Sequence, residues 1–223
     1  MIDVKPQPDR LYGRVKGHKL RPRQDWLLAE ILPRLLYPTI PFASTGRELW
    51  LEVGFGGGEH AISLASANPD IGLIACEVFE PGICSLLSRL VPEGDDDAAL
   101  PGNLRLWTDD ARLLLRDFPD AALSRVFLMF PDPWPKARHA KRRFVHPTTI
   151  IELARVLRSG GEWRIASDDP TYQAWVMDVF ATQSLFTLTA HGDIRPAGWP
   201  PTRYEAKAIK AGRQPLYWSA VRR

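Results

Sequence analysis

ELWLEVGFGGGEH, residues 48–60, begins as an apolar run and breaks into glycines just before a helical start. Residues 48–54 read as a strand, and a helix is expected over Glu59–Ala67. Gly54, Gly56 and Gly58 occupy alternate positions of the connection, where the lack of a Cβ lets backbone approach a ligand closely. A tight strand-to-helix turn with no ligand would use the same residues, so the surrounding chain has to decide.

Working outward, apolar runs alternate with helical patterns. IGLIACEV (71–78) is a second strand, followed by a helix from about Pro81 to Leu90. NLRLWT (103–108) is a third, with a short helix through Ala111–Phe118, and SRVFLMF (124–130) is a fourth. A helix over Pro147–Leu157 carries Gly160-Gly161 as a stop signal before the fifth strand, EWRIAS (162–167). A helix over Tyr172–Ala181 and two late strands, FTLTAH and LYWSAV, follow. The stretches 94–103 and 192–205, rich in Gly and Pro, read as loops. This alternation predicts an α/β fold with a doubly wound, mostly parallel, seven-stranded sheet. Ligands of such sheets sit at the carboxyl ends of the strands.

At 223 residues, 45% of them hydrophobic, the chain is long enough for one packed domain. Residues 31–223 are expected to form that domain, and residues 1–30 a basic N-terminal arm whose order is left open. No stretch has transmembrane length, and the N-terminus lacks a signal-peptide pattern. Cys76 and Cys84 have neither zinc nor disulfide-framework spacing. A cytoplasmic location and metal-free chemistry are therefore expected. The net charge of +3 is unevenly spread. Residues 1–25 hold seven bases against three acids, and the last 21 hold six bases against Glu205 alone. Between Asp70 and Asp132 acids outnumber bases twelve to five. Basic stretches around an acidic middle suggest a polyanion-binding rim around a site of different chemistry.

Three acids stand at strand ends, two of them, Glu77 and Asp110, within that acidic middle. Glu52 lies just before the glycines, suited to an ammonium or a water near it. Glu77 ends the second strand, where an acid accepts ribose hydroxyls. Asp110 follows the third strand and is a candidate for an adenine amino group, with Asp109 as its competitor. The dinucleotide fingerprint would want a glycine where Glu59 stands, and a carboxylate there repels pyrophosphate. NAD is disfavoured on this ground. S-adenosylmethionine, with its sulfonium and ammonium, meets the requirement.

The fourth strand runs into FPDPWPKARHAKRR, residues 130–143. Pro131 and Pro133 fix φ on either side of Asp132, and Pro133 also biases Asp132 toward extended backbone. Trp134 is suited to stack on a base, and Lys136, Arg138, Lys141, Arg142 and Arg143 to meet phosphates. A proline turn with a packed tryptophan and a solvated basic face is the competing account. His139 reads equally as a phosphate contact or a surface residue, and His60 reads as structural.

The run Pro131-Asp132-Pro133-Trp134, with Lys136, Arg138-His139 and Lys141-Arg142-Arg143, resembles the hallmark loop of the bacterial tRNA (guanine-N7)-methyltransferase family. The resemblance spans nearly the whole chain. It takes in LEVGFGGGEH, Glu77, Asp110-Ala111, ASD ending at Asp168, and Thr202–Glu205. Asp169 stands where relatives often carry an aromatic, and Arg203 and Tyr204 are mild variants of the family's last motif. The resemblance implies a Rossmann-like class I methyltransferase that moves a methyl group from S-adenosylmethionine to N7 of a guanosine in the tRNA variable loop. It implies that Glu52, Gly54, Gly56, Gly58, Glu77, Asp110 and Asp132 bind the cofactor or lie at the reacting centre, with Asp132 the catalytic candidate. Lys136, Asp168, Thr202, Arg203, Tyr204 and Glu205 would contact the substrate nucleotide, with Trp134 or Tyr204 stacking on its base. The expected partner is tRNA, and the expected assembly a monomer or homodimer. Two rivals remain: a methyltransferase of another substrate, and an inactive RNA-binding protein on the same fold.

Overall fold

The computed structural model describes residues 7, 10–39, 42 and 46–223. Lys5, Asp3 and Asp9 of the basic arm lie outside the described residues. The chain packs as two compact units, Gly13–Ala111 and Met1–Tyr12 with Arg112–Arg223.

The first unit begins with helix α1 (Pro22–Trp26), continued by a wider π turn over Leu27–Ile31 that buries Leu27 and Ile31. By pattern alone this segment is only part of the basic arm. Its few apolar residues stand among charges, which hides the period. Three parallel strands follow in the order β3-β2-β1: β1 (Leu49–Val53), β2 (Gly72–Cys76) and β3 (Leu104–Trp107). Leu51, Leu73, Ile74, Leu104 and Leu106 are buried, as apolar strands covered by helices should be. Helices α2 (Glu59–Ala67) and α3 (Glu80–Leu90) complete the unit. Val53 pairs with Cys76 and Cys76 with Trp107, so the three strands end level with one another. Residues that follow them therefore open at one edge.

The second unit contains all but the first residue of helix α4 (Ala111–Asp117), and strand β4 (Leu123–Met129). Helix α5 (Pro147–Val156), strand β5 (Leu157–Ser167) and helix α6 (Pro170–Ala181) come next. Strand β6 (Phe186–Gly192), helix α7 (Arg203–Lys210) and strand β7 (Leu216–Arg222) close the chain. Here the strand order is β4-β5-β7-β6. β4 and β5 are parallel, and β7 runs antiparallel to both its neighbours. The seven strands thus belong to a mixed α/β fold with the parallel pairs expected. Its aromatic core is Trp163 against Phe180, Phe186 and Phe144, at centroid distances of 5.6, 6.2 and 6.3 Å. Emptying it by Trp163→Ala should cost about 3–5 kcal/mol.

Two expectations are corrected here. Gly160-Gly161 does not cap α5, which ends at Val156 as Leu157 turns extended. The pair lies inside β5, where Gly160 has φ of 74° and the register against β4 slips between Leu123 and Arg125. A Cβ on Gly161 would stand 2.8 Å from the Arg158 carbonyl oxygen, so the glycines make a bend. The second correction is α7, which starts inside the stretch read as loop. Only Glu205 and Ala208 of its eight residues are buried, too few to show a helical period.

Candidate cofactor and substrate sites

In the first unit, Gly54, Gly56 and Gly58 have φ of 76°, 58° and 84°, backbone that L side chains rarely adopt. The amides of Gly54 and Phe55 donate to the Cys76 carbonyl at 2.9 and 3.1 Å, tying the turn to the end of β2. Gly82 in α3 packs so near that a Cβ there would lie 2.5 Å from the Gly56 carbonyl oxygen. The turn is therefore gripped from both sides. Glu59 follows it, but its carboxylate is paired with Arg89, whose Nε also donates to the Gly57 carbonyl. Part of the repulsion expected of Glu59 is thereby offset, which weakens the sequence argument against a pyrophosphate ligand.

The three acids occupy the level strand ends. Glu77 accepts the Gly56 amide at 2.8 Å through Oε2, and the Val78 and Phe79 amides at 2.8 and 3.0 Å through Oε1. Glu52 is 2% exposed. Its Oε1 lies 3.0 Å from Nδ1 of the buried His60, while its buried Oε2 has no hydrogen-bond partner among the described residues. Asp109 turns outward and accepts the Asp110 amide at 2.6 Å, whereas Asp110 is half-buried. Burial raises the Cys76 thiol pKa well above its usual value, and the charges of Glu52, Glu77 and Asp110 push it further the same way. The three carboxylates thus act on one point of the sheet edge.

In the second unit, the loop after β4 is more constrained than its prolines require. Phe130 and Trp134, on either side of the proline–aspartate–proline run, have φ of 55° and 46°. Such left-handed backbone in bulky residues costs about 1–3 kcal/mol each and needs surrounding structure to hold it. The Phe130 amide donates to the Ala166 carbonyl at 2.8 Å. Asp132 itself is exposed. Lys136 and Arg138 are exposed beyond it, and Lys141 and Arg142 half-buried. Arg142 lies over the rings of Tyr12 and Trp134 at 4.8 and 4.7 Å. Arg143 is 4% exposed, which overturns its reading as a phosphate contact.

Asp168, half-buried after β5, is ion-paired with Arg213 at 2.6 Å. Asp169 accepts the Thr171 and Tyr172 amides and caps α6. This accounts for the aspartate where an aromatic is common. Thr202 and Glu205 form a reciprocal capping box at the start of α7. Glu205 also accepts from Arg195 Nε at 3.0 Å and the Tyr217 hydroxyl at 2.8 Å. Arg203 and Tyr204 face solvent, with the Arg203 and Lys207 cations 5.5 and 5.7 Å from the Tyr204 ring. Among the described residues there is no cluster of metal-ligating side chains, and no helix is long and apolar enough to cross a membrane.

A glycine turn held by an acid, with further acids near successive strand ends, lies at the carboxyl edge of a Rossmann-like sheet. The chain belongs to the family described as putative methyltransferase, whose profile matches residues 46–217. It is similar to the tRNA (guanine-N(7)-)-methyltransferase of Granulibacter bethesdensis, 67% identical over all of this chain and 99% of that protein. A protein of the same description from Paramagnetospirillum magneticum is 48% identical over 96% of this chain and 93% of its own length. The fold resembles that of the 16S rRNA methyltransferase KamB, with a TM-score of 0.55, 16% identity, and coverage of 79% of this chain and 88% of that one. It also resembles an antibiotic-related methyltransferase, with a TM-score of 0.53, 10% identity, and coverage of 94% and 98%.

The cofactor of this family is S-adenosylmethionine, and the residues present fit it. The orphaned Glu52 Oε2 is a buried anionic acceptor of the kind an ammonium satisfies, a bond worth about 1.5–3 kcal/mol.

Proposed function

We propose that this protein methylates N7 of the variable-loop guanosine of tRNA. The observation that carries the reading is the full-length match, at 67% identity, to a tRNA (guanine-N(7)-)-methyltransferase. In this reading the chain works as one methyltransferase domain, a monomer or homodimer, in the cytoplasm.

Bound S-adenosylmethionine supplies an electrophilic methyl group on a cationic sulfur. Glu52 takes the ammonium, the backbone of Gly54, Gly56 and Gly58 lies against the ligand, Glu77 accepts ribose hydroxyls and Asp110 meets the adenine. Guanine N7 carries a lone pair and no proton at neutral pH, so the enzyme needs no general base. It needs geometry and charge. Orienting the reactants supplies roughly 7–11 kcal/mol of the barrier. Asp132 accepts from guanine N1–H and the exocyclic amine, and its charge favours the purine as that becomes cationic. Removing the target base from its tertiary contacts costs a few kcal/mol. Tyr204 offsets part of this by stacking, worth about 1–3 kcal/mol per base. Lys136 and Arg203 meet the nucleotide's phosphates. Asp168, Thr202 and Glu205 shape its pocket, the last two through the capping box that starts α7.

The test is incubation of the purified protein with methyl-labelled S-adenosylmethionine and bulk tRNA, followed by borohydride–aniline cleavage. Label in tRNA with scission at the variable-loop guanosine is the expected result. Label that survives ribonuclease treatment, or enters tRNA without scission, would sink the assignment.

A further inference from the structure

We infer that Arg143 is a positioning residue for the reaction, holding the Asp132 carboxylate in its working direction through the loop backbone. The inference rests on the proposed role of Asp132 in gripping guanine.

Its guanidinium donates from Nε to the Pro133 carbonyl at 3.1 Å and from Nη2 to the Trp134 carbonyl at 3.0 Å. The planar face lies over Trp175, 4.7 Å from the ring centroid. Burial lowers the Arg143 pKa, against which Tyr172 and Asp169 act. A cation this buried is kept by its fixed partners. The main chain around it is anchored as firmly. The Arg143 amide donates to the Ala140 carbonyl at 3.0 Å, and its carbonyl accepts from Gln7 Nε2 at 2.9 Å. The next residue but one, Val145, donates its amide to the Tyr172 hydroxyl at 3.2 Å and accepts the Trp175 indole at 2.6 Å.

The prolines leave something for this clamp to do. They fix φ at 131 and 133, but not ψ, and not the torsions of Asp132. Asp132 is exposed and so not held by packing. Trp134, two residues on, is in left-handed backbone that a free loop would relax. The two carbonyls that Arg143 grips are those of the residue after Asp132 and of the strained Trp134. A guanidinium presents its donors as a rigid planar fork, so one side chain sets both carbonyls at once. A lysine ammonium is a compact point charge and cannot reproduce that geometry.

Arg143→Lys and Arg143→Met would be compared with the wild type in single-turnover methylation at saturating cofactor and tRNA. Cofactor affinity, the salt dependence of tRNA binding and the melting temperature would be measured alongside. Arg143→Lys is expected to keep its fold, its cofactor affinity and the wild-type salt slope, while the rate falls by roughly 10²-fold, as a misplacement of about 1 Å can cause. Because Arg143 acts through Asp132, the double variant Asp132→Asn/Arg143→Lys should be no slower than Asp132→Asn alone. Multiplying losses in the double variant would overturn the inference, as would an unchanged rate. A slope smaller by about 0.9 would make Arg143 a phosphate ligand instead. Failure of both single variants to fold would leave it a stability residue, which also overturns the inference. A wild-type protein that does not methylate tRNA would count against the proposed function and not against this clamp.

Discussion

Glu77 holds the Gly56 amide at 2.8 Å, so the acid that directly follows β2 is also the post that fixes the glycine turn. In the proposed reading one side chain both organises the backbone and offers charge to the cofactor. Its other oxygen takes two further amides, which stiffens it before any ligand arrives. Glu77→Ala should therefore weaken S-adenosylmethionine and lower the melting temperature together. Loss of one charged acceptor is worth about 1.5–3 kcal/mol, roughly ten- to a hundredfold in affinity. Calorimetry with unchanged affinity would remove Glu77 from the cofactor site.

Gly82→Ala tests the turn from its other side. The added methyl would meet the Gly56 carbonyl oxygen at 2.5 Å, so α3 or the turn must move. Overpacking of this kind typically costs about 1–3 kcal/mol. Titration should show weaker cofactor binding by a protein that still melts cooperatively. Wild-type affinity would mean the turn shifts without consequence for the ligand.

Asp132→Asn should slow methylation far more than it changes cofactor affinity. The amide keeps the shape, loses the charge and turns a donor toward guanine donors. Removing one preorganised electrostatic interaction costs about 10²–10³ in rate. A single-turnover assay at saturating substrates measures it, and a near wild-type rate would make the carboxylate structural.

The basic loop should divide in two. Alanine at Lys136, Arg138 and Lys141 is expected to flatten the log–log salt dependence of tRNA binding, by up to about 0.9 for each phosphate no longer neutralised. His139 adds little positive charge at neutral pH. Partial burial, then the cations of Arg142, Arg138, Lys136 and Lys141, lowers its pKa below the ordinary histidine value. His139→Gln should therefore leave the slope at neutral pH as it is. Filter binding across a salt series would show either departure.

Alkaline stability offers a further test. Burial raises the pKa of the Tyr172 and Tyr217 phenols, and Glu205 beside Tyr217 adds to it. An unfolded phenol ionises near about 10. Above that pH the unfolded chain gives up protons that the native state keeps, so stability is fully present below about 10 and falls as pH rises past it. Each phenol contributes up to about 1.4 kcal/mol per pH unit there. In denaturant titrations, Tyr217→Phe should flatten the decline above about pH 10. An equally steep decline in the variant would mean that Tyr217 ionises as freely in the native protein as in the unfolded chain.

Much of the cofactor half was legible from local pattern. Strand, glycine turn and helix succeed one another within residues 48–67, and each acid lies within the last residues of its strand or at most three beyond it. Such features are written in neighbouring residues. Helix α7 escaped because its fold depends on Thr202 and Glu205 capping each other and on Glu205 reaching Tyr217, twelve residues away. The pairing of Glu59 could not be read locally, because its partner, Arg89, lies thirty residues along the chain.

The order of the strands and of the helices α2 to α6 between them, the glycine turn and the placement of carboxylates near strand ends were determined by the sequence itself. Period and turn chemistry act over a few residues, so they can be read without knowing distant partners. Which of the loop's five cations face solvent was decided only by tertiary structure. Lys141, Arg142 and Arg143 are adjacent and carry the same charge, yet one is buried against Trp175 and another lies over the rings of Tyr12 and Trp134. The physical reason is desolvation. A guanidinium leaves water only where carbonyls and aromatic faces are already arranged to receive it, and here the faces of Trp175 and Tyr12 come from segments far along the chain.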